Sequence, residues 1–101
     1  MNKSDLNLLK RILWLRLAQV VINELSKAKS FLVPIHLALG HETIAAAVDS
    51  AMKKSDHLFL SHRNAHYNLI KMGTIKEEID EYYLKENGIG GGRLGSMNLF
   101  N

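Results

Sequence analysis

The sequence predicts an α/β chain that is mostly helical within its 101 residues, with one short strand near 57–61. Three observations carry this reading. Leu6, Leu9, Leu13, Leu17, Val20 and Val21 recur at the spacing of a helix. Thr74 and Glu77 stand three apart ahead of Ile79, Tyr82 and Tyr83, which is the pattern of a capping box followed by an apolar helix side. Between these stretches, His57-Leu-Phe-Leu-Ser61 is a short apolar run of strand length.

Taken in order, the first helix is expected from about Asp5 to Ser26, with Ser4 and Asp5 as good start residues. Leu8, Ile12, Leu15, Ile22 and Leu25 widen its apolar surface well beyond one stripe. A helix of that kind expects neighbours on more than one side, more than so short a chain readily supplies. Residues 1–101 are therefore expected to form a single, incomplete domain. Pro34 disfavours a helix immediately before it, so Phe31–Leu39, which contains His36, reads as a loop. A second helix is expected from His41 to Lys54, with Ala45, Ala46, Ala47 and Ala51 allowing close approach and Ser55-Asp56 as its break. A short helix follows over 64–72. The capped helix from Thr74 meets a stop at Asn87-Gly88. Five of the nine residues from Gly88 to Ser96 are glycine, which predicts a flexible surface loop.

Composition removes several classes of function. The absence of cysteine excludes disulfides, cysteine zinc sites and thiol catalysis. The net charge of +3 is spread along the chain rather than gathered in a stripe, which argues against nucleic acid as a partner. Lys10, Arg11 and Arg16 interrupt the apolar N-terminal stretch, so neither a secretory signal nor a membrane span is expected, and the compartment expected is the cytoplasm.

The residues that could carry chemistry cluster in two places. Gly90-Gly-Gly-Arg-Leu-Gly-Ser96 invites a phosphate-binding reading, but it lacks the P-loop lysine and follows a helix rather than a strand. The five histidines are His36, His41, His57, His62 and His66. His62 and His66 have helical i, i+4 spacing, yet no glutamate stands beside them in the metalloprotease pattern, so no metal site is expected from them. Imidazoles gathered near one loop suit acid/base or substrate contact. Arg63 directly follows the strand candidate, where a guanidinium can grip a phosphate through two parallel hydrogen bonds.

The order and spacing of three segments resemble the α subunit of the thiamine-diphosphate-dependent 2-oxo acid dehydrogenases, the pyruvate, branched-chain and acetoin dehydrogenase family. Ile35-His-Leu-Ala-Leu-Gly-His-Glu42 is similar to the family's H-x-x-x-G-Q-E, Ser61-His-Arg63 to its S-[YH]-R, and Gly92-Arg-Leu-Gly-Ser-Met97 to its G-R-G-G-S-M. The resemblance implies the N-terminal portion of a thiamine-diphosphate-binding fold within a hetero-oligomer. It implies thiamine diphosphate with Mg²⁺ as cofactor in the complete enzyme, and a β-type subunit and the remainder of the α chain as partners. A 2-oxo acid is the implied substrate and a lipoyl group the acyl acceptor. By motif position, Arg63 and His62 would contact the cofactor, while His36 and His66 would be the catalytic histidines, His66 if a one-residue slip puts it in place of the motif histidine.

The chain departs from that pattern in ways that matter. Asn64-Ala65-His66 stands where x-His-Gly is expected, His41 replaces a glutamine, Leu94 a glycine and Asn98 a common histidine. The Gly-Asp-Gly magnesium motif with its downstream asparagine does not occur, so Mg²⁺ lacks its oxygen ligands. The chain alone is therefore expected to be catalytically inactive. Two other readings are a non-catalytic interaction protein derived from the same family, and a small basic nucleic-acid-binding module using Lys53, Lys54, Arg63 and Arg93.

Overall fold

Asn2 opens the first helix, α1 (Lys3–Lys27), where its Oδ1 accepts a hydrogen bond from the Asp5 amide at 2.8 Å. The computed structural model describes residues 2–61 and 63–95. The start expected at Ser4 and Asp5 is thus displaced toward the N-terminus. Asp5 supplies the third amide of the helix rather than the cap, and an asparagine carbonyl satisfies that otherwise orphaned donor. At the other end, Lys29 adopts φ +57, the Lys29 amide donates to Ser26 O and the Ser30 amide donates to Leu25 O. These two bonds close the helix as a Schellman motif.

Helix α1 packs on α2 (Glu42–Ala51) and α3 (Ala65–Met72), which also pack on each other, and α4 (Lys76–Tyr82) joins through α3. Leu15, Ala18 and Ile22 of α1 meet Ala45 and Ala46 of α2, Leu69 and Ile70 of α3, and Tyr82 of α4 in one buried cluster. Ala45 and Ala46 are fully buried in this cluster, whereas Ala47 and Ala51, expected to allow close approach with them, are exposed. Arg11 pairs with Asp49 and also donates to Ile70 O, so one guanidinium spans all three helices. Another side of α1 is apolar and uncovered, with Leu13 56% and Leu17 65% exposed.

Several sequence expectations are corrected. Helix α2 ends at Ala51, three residues before Lys54, because Asp56 Oδ2 accepts the Lys53 amide at 2.7 Å and draws that segment into a turn. The expected strand over 57–61 does not form among the described residues, and Phe59 is 94% exposed. A strand needs a neighbour to take up its backbone donors and acceptors, and the described residues present no such partner. Helix α4 begins at Lys76 after an Ile75 cap without a side-chain bond. Thr74 Oγ1 donates to Glu77 Oε2 at 2.6 Å instead of completing the capping box. The helix stops at Tyr83–Leu84 rather than at Asn87-Gly88. Leu84 takes φ +58, its amide bonds Glu81 O at 2.8 Å, and the Lys85 amide bonds Asp80 O at 2.9 Å.

Candidate functional site

A cleft of about 440 Å³ opens where the 37–39 stretch meets the start of α3. Gln19, fully buried on α1, holds the lining residue Ala38 in place: Gln19 Oε1 accepts the Ala38 amide at 3.0 Å, and Gln19 Nε2 donates to Glu42 Oε2 at 2.7 Å. Glu42 in turn accepts the Gly40 amide at 3.1 Å and Arg16 Nε at 3.1 Å. Gly40 has φ +97, a conformation that glycine adopts without strain, and this lets the loop turn sharply into α2. Glu42 is the buried first residue of α2, and an anion there also faces the positive end of the helix.

The functional side chains lie around the cleft. His41, Ser61, Arg63, His66 and Tyr67 line the cleft together with Leu37–Leu39. Arg63 is exposed and its Nη1 donates to Leu37 O at 2.7 Å, which ties the guanidinium to the loop. A guanidinium carries more donors than one carbonyl uses. Asn64 is buried, and its Nδ2 donates to Ser61 O at 2.9 Å, holding the approach to α3. His66 lies in the first turn of α3 and is 4% exposed. Its ring sits 6.2 Å from that of His41 in an edge-on arrangement and 4.1 Å from that of Tyr67. Burial is the main influence holding the His66 imidazole below its ordinary pKa, and His41 adds to it. The Glu42 carboxylate acts in the opposite direction. His66 is thus neutral at pH 7. Its Nδ1 is buried and makes no hydrogen bond among the described residues.

Of the residues singled out from sequence, Arg63 and His66 are brought together in this cleft. His36 lies half-buried on the same loop but does not line it. His62 lies outside the described residues, as do Ser96 and Met97. His41, one of the five clustered histidines and a departure from the motif glutamine, also lines the cleft. Ser61 and Tyr67 flank the arginine and the histidine, and that adjacency was the available signal. Among the described residues no three histidine, aspartate or glutamate side chains converge as a cation site.

The glycine segment is not the loose loop that its composition suggests. It wraps around Glu81, which is fully buried. Glu81 Oε1 accepts the Gly90 and Gly92 amides at 2.6 and 2.9 Å, and Oε2 accepts the Leu94 and Gly95 amides at 3.0 Å each. Burial alone would raise the pKa of this carboxyl, but the four backbone donors outweigh it and hold the group below the ordinary glutamate value. The glycine-rich segment does form an anion cradle, and its anion is a side chain of the same molecule.

A helical scaffold thus brings one guanidinium and one buried, neutral imidazole to the same cleft. The comparisons with known proteins narrow this. The chain is 34% identical over 85 residues to the pyruvate dehydrogenase E1 component subunit alpha, mitochondrial, of Dictyostelium discoideum, covering 84% of this chain and 22% of that protein. It is 36% identical over 67 residues to the pyruvate dehydrogenase E1 component subunit alpha of Rickettsia conorii, covering 65% of this chain and 20% of that protein. Against the corresponding mitochondrial subunit of Saccharomyces cerevisiae the figures are 27% over 95 residues, 94% of this chain and 23% of that protein. No family model matches the chain. The chain belongs with the α subunits of the thiamine-diphosphate-dependent 2-oxo acid dehydrogenases. It spans between a fifth and a quarter of the length of these relatives.

Proposed function

We propose that this chain forms part of the diphosphate-holding side of a thiamine-diphosphate-dependent 2-oxo acid dehydrogenase, with pyruvate as the 2-oxo acid its relatives' names suggest. The observation that carries this is the Arg63 guanidinium, tied to Leu37 O at the edge of a cleft it shares with His41 and His66. Arg63 supplies fixed positive charge with a planar donor edge, which suits a diphosphate oxygen pair. The N-terminus of α3 lies against the same cleft and adds to the attraction. His66 remains neutral and so offers an imidazole nitrogen for proton transfer or hydrogen bonding rather than a second charge. His36 is assigned to the substrate end and His62 to the cofactor side by motif position alone.

When bound, thiamine diphosphate supplies the carbanion chemistry that releases CO₂ from a 2-oxo acid. The donor set fits the diphosphate in part, through Arg63, and does not fit Mg²⁺, which needs several oxygen ligands. Those ligands are assigned to the remainder of the α chain, and the aminopyrimidine groove to a β-type subunit. A lipoyl group is the proposed acyl acceptor. The 57–61 segment is proposed to pair with strands of that larger assembly and to complete an α/β sheet. By itself the chain holds the cofactor weakly and turns over no substrate.

The test is reconstitution. The chain is mixed with the remainder of an α subunit and a β subunit from a relative, and 2-oxo-acid-dependent dye reduction is followed. Inorganic pyrophosphate binding to the chain alone is measured in parallel. Activity with pyruvate, together with roughly tenfold weaker pyrophosphate binding in Arg63→Ala, supports the proposal. No pyrophosphate binding at low salt and no activity in the mixture would overturn it.

A further inference from the structure

Glu81 sits at the C-terminal end of α4, where an acidic residue opposes the helix dipole and gains nothing from its own helix. It is nonetheless fully buried and meets four backbone amides from a segment nine to fourteen residues further along. Two lie on each oxygen, so both oxygens are satisfied by main chain alone. The loop leaves little freedom for another arrangement. A Cβ on Gly92 would come within 2.6 Å of Leu84 O, and Gly92 adopts φ +77. Gly91 also has a positive φ, +69, yet open space surrounds its Cβ position. A Cβ on Gly95 would come within 3.1 Å of Val33 Cγ1, so Gly95 lies close beside Val33, in the stretch leading into His36.

We propose that Glu81 is a positioning residue: its carboxylate is the internal anion around which Gly90–Gly95 fold, and through that loop it fixes the main chain beside the Val33–His36 stretch. Without the anion, four backbone N–H groups converge on one point, an arrangement that repels itself and releases the loop. The part of this inference that gives the loop a place beside a catalytic cleft rests on the proposed function, whereas the anchoring itself does not.

The experiment is nuclear magnetic resonance on the chain labelled with ¹⁵N-glycine, without any cofactor. In the wild type, the Gly90, Gly92 and Gly95 amides are expected to shift together as pH falls through a midpoint below the ordinary glutamate value, and to exchange slowly above it. Glu78 of α4 acts electrostatically on Glu81; the other charged residues and the histidine on the neighbouring elements are Lys76, Glu77 and Asp80 of α4, Lys85, Glu86 and Arg93 of the loop, and Lys71 and His66 of α3, while 31–35 brings none. Glu81→Gln keeps the shape but turns an –NH₂ toward backbone donors. It is expected to abolish the common titration and to speed exchange at the three glycines roughly tenfold or more.

Should Glu81→Gln fail to fold, Gly92→Ala disturbs the loop with the carboxylate retained and is expected to raise exchange at Gly90 and Gly95. Glycine amides that ignore pH in the carboxylate range, or unchanged exchange in both Glu81→Gln and Gly92→Ala, overturn the proposal. Pyrophosphate binding at Arg63 is a separate readout, so failure of the proposed function leaves this result standing.

Discussion

Gln19 Nε2 donates to Glu42 Oε2 at 2.7 Å, and both residues are buried. This contact joins α1 to α2, and the other end of the same amide holds the Ala38 N–H on the wall of the cleft. One side chain therefore couples helix packing to the geometry of the site. Gln19→Leu preserves most of the volume but leaves the Ala38 amide without its acceptor, while Glu42 loses one donor and keeps Gly40 and Arg16. An orphaned buried group costs about 1–3 kcal/mol. A loss of about 1–3 kcal/mol in urea unfolding is expected, with cleft resonances perturbed near Ala38. A loss below about 0.5 kcal/mol, within the range of an ordinary surface substitution, would contradict the coupling.

Glu78 gives the chain an unusual pH response. It is fully buried, accepts the Tyr82 hydroxyl at 2.8 Å, and its other oxygen has no hydrogen bond among the described residues. Desolvation pushes its pKa up from 4.5 to about 7, the Tyr82 bond acts against this, and the nearby Glu81 charge adds to it. A carboxyl with a raised folded-state pKa is protonated in the fold while the unfolded chain ionises. Its contribution to stability is full below about 4.5 and is lost as pH rises to about 7. The gap corresponds to about 3 kcal/mol. Glu78→Gln keeps an acceptor for Tyr82 and removes the ionisation. It is expected to stabilise the chain at pH 7.5 by about 2–3 kcal/mol and to flatten the decline between pH 4.5 and 7. Equal stability of the two proteins at pH 7.5 would refute this.

Along α1 the two apolar faces separate by energy. Leu15 is fully buried in the helix cluster, whereas Leu17 is 65% exposed. Leu15→Ala is expected to cost about 2–5 kcal/mol and Leu17→Ala to stay within about 0.5 kcal/mol. Comparable losses at both positions in thermal unfolding of the chain alone would mean that the exposed face is covered in solution.

The contrast between those two leucines also shows what the sequence made legible. Spacing located α1 within two residues and α3 within one, because helical periodicity is a local signal. It could not choose which side of α1 is buried, since Leu13 and Leu17 look as apolar as Leu15. The α4 terminus was missed because Leu84, not a glycine, takes the left-handed position. Leucine is rare there, and residue type alone does not announce it. The 57–61 run has the composition of a strand, but a strand exists only with a neighbour. Motif position singles out Arg63 and His66, and both line one cleft with His41. Glu81 was invisible as a site residue. Its partners are backbone amides nine to fourteen residues away, and no side-chain pattern encodes that pairing.

His66 provides the most direct reading of the cleft's electrostatics. Burial and the adjacent His41 disfavour its charged form, and only Glu42 favours it. The folded-state pKa is thus depressed below the ordinary 6.5. A histidine of this kind contributes stability that is present above the unfolded value and lost as pH falls through the folded value. Ring ¹H–¹³C shifts followed against pH should place the His66 midpoint below 6.5. His41→Asn should move it upward by relieving the charge repulsion, and Glu42→Gln should move it further down, provided the fold survives the loss of the Arg16 contact. Opposite movements in the two variants identify the cleft as electrostatically coupled across α2 and α3. A midpoint at or above 6.5 in the wild type would mean that His66 is charged or solvated in the fold, and the role of neutral imidazole beside Arg63 would fall with it.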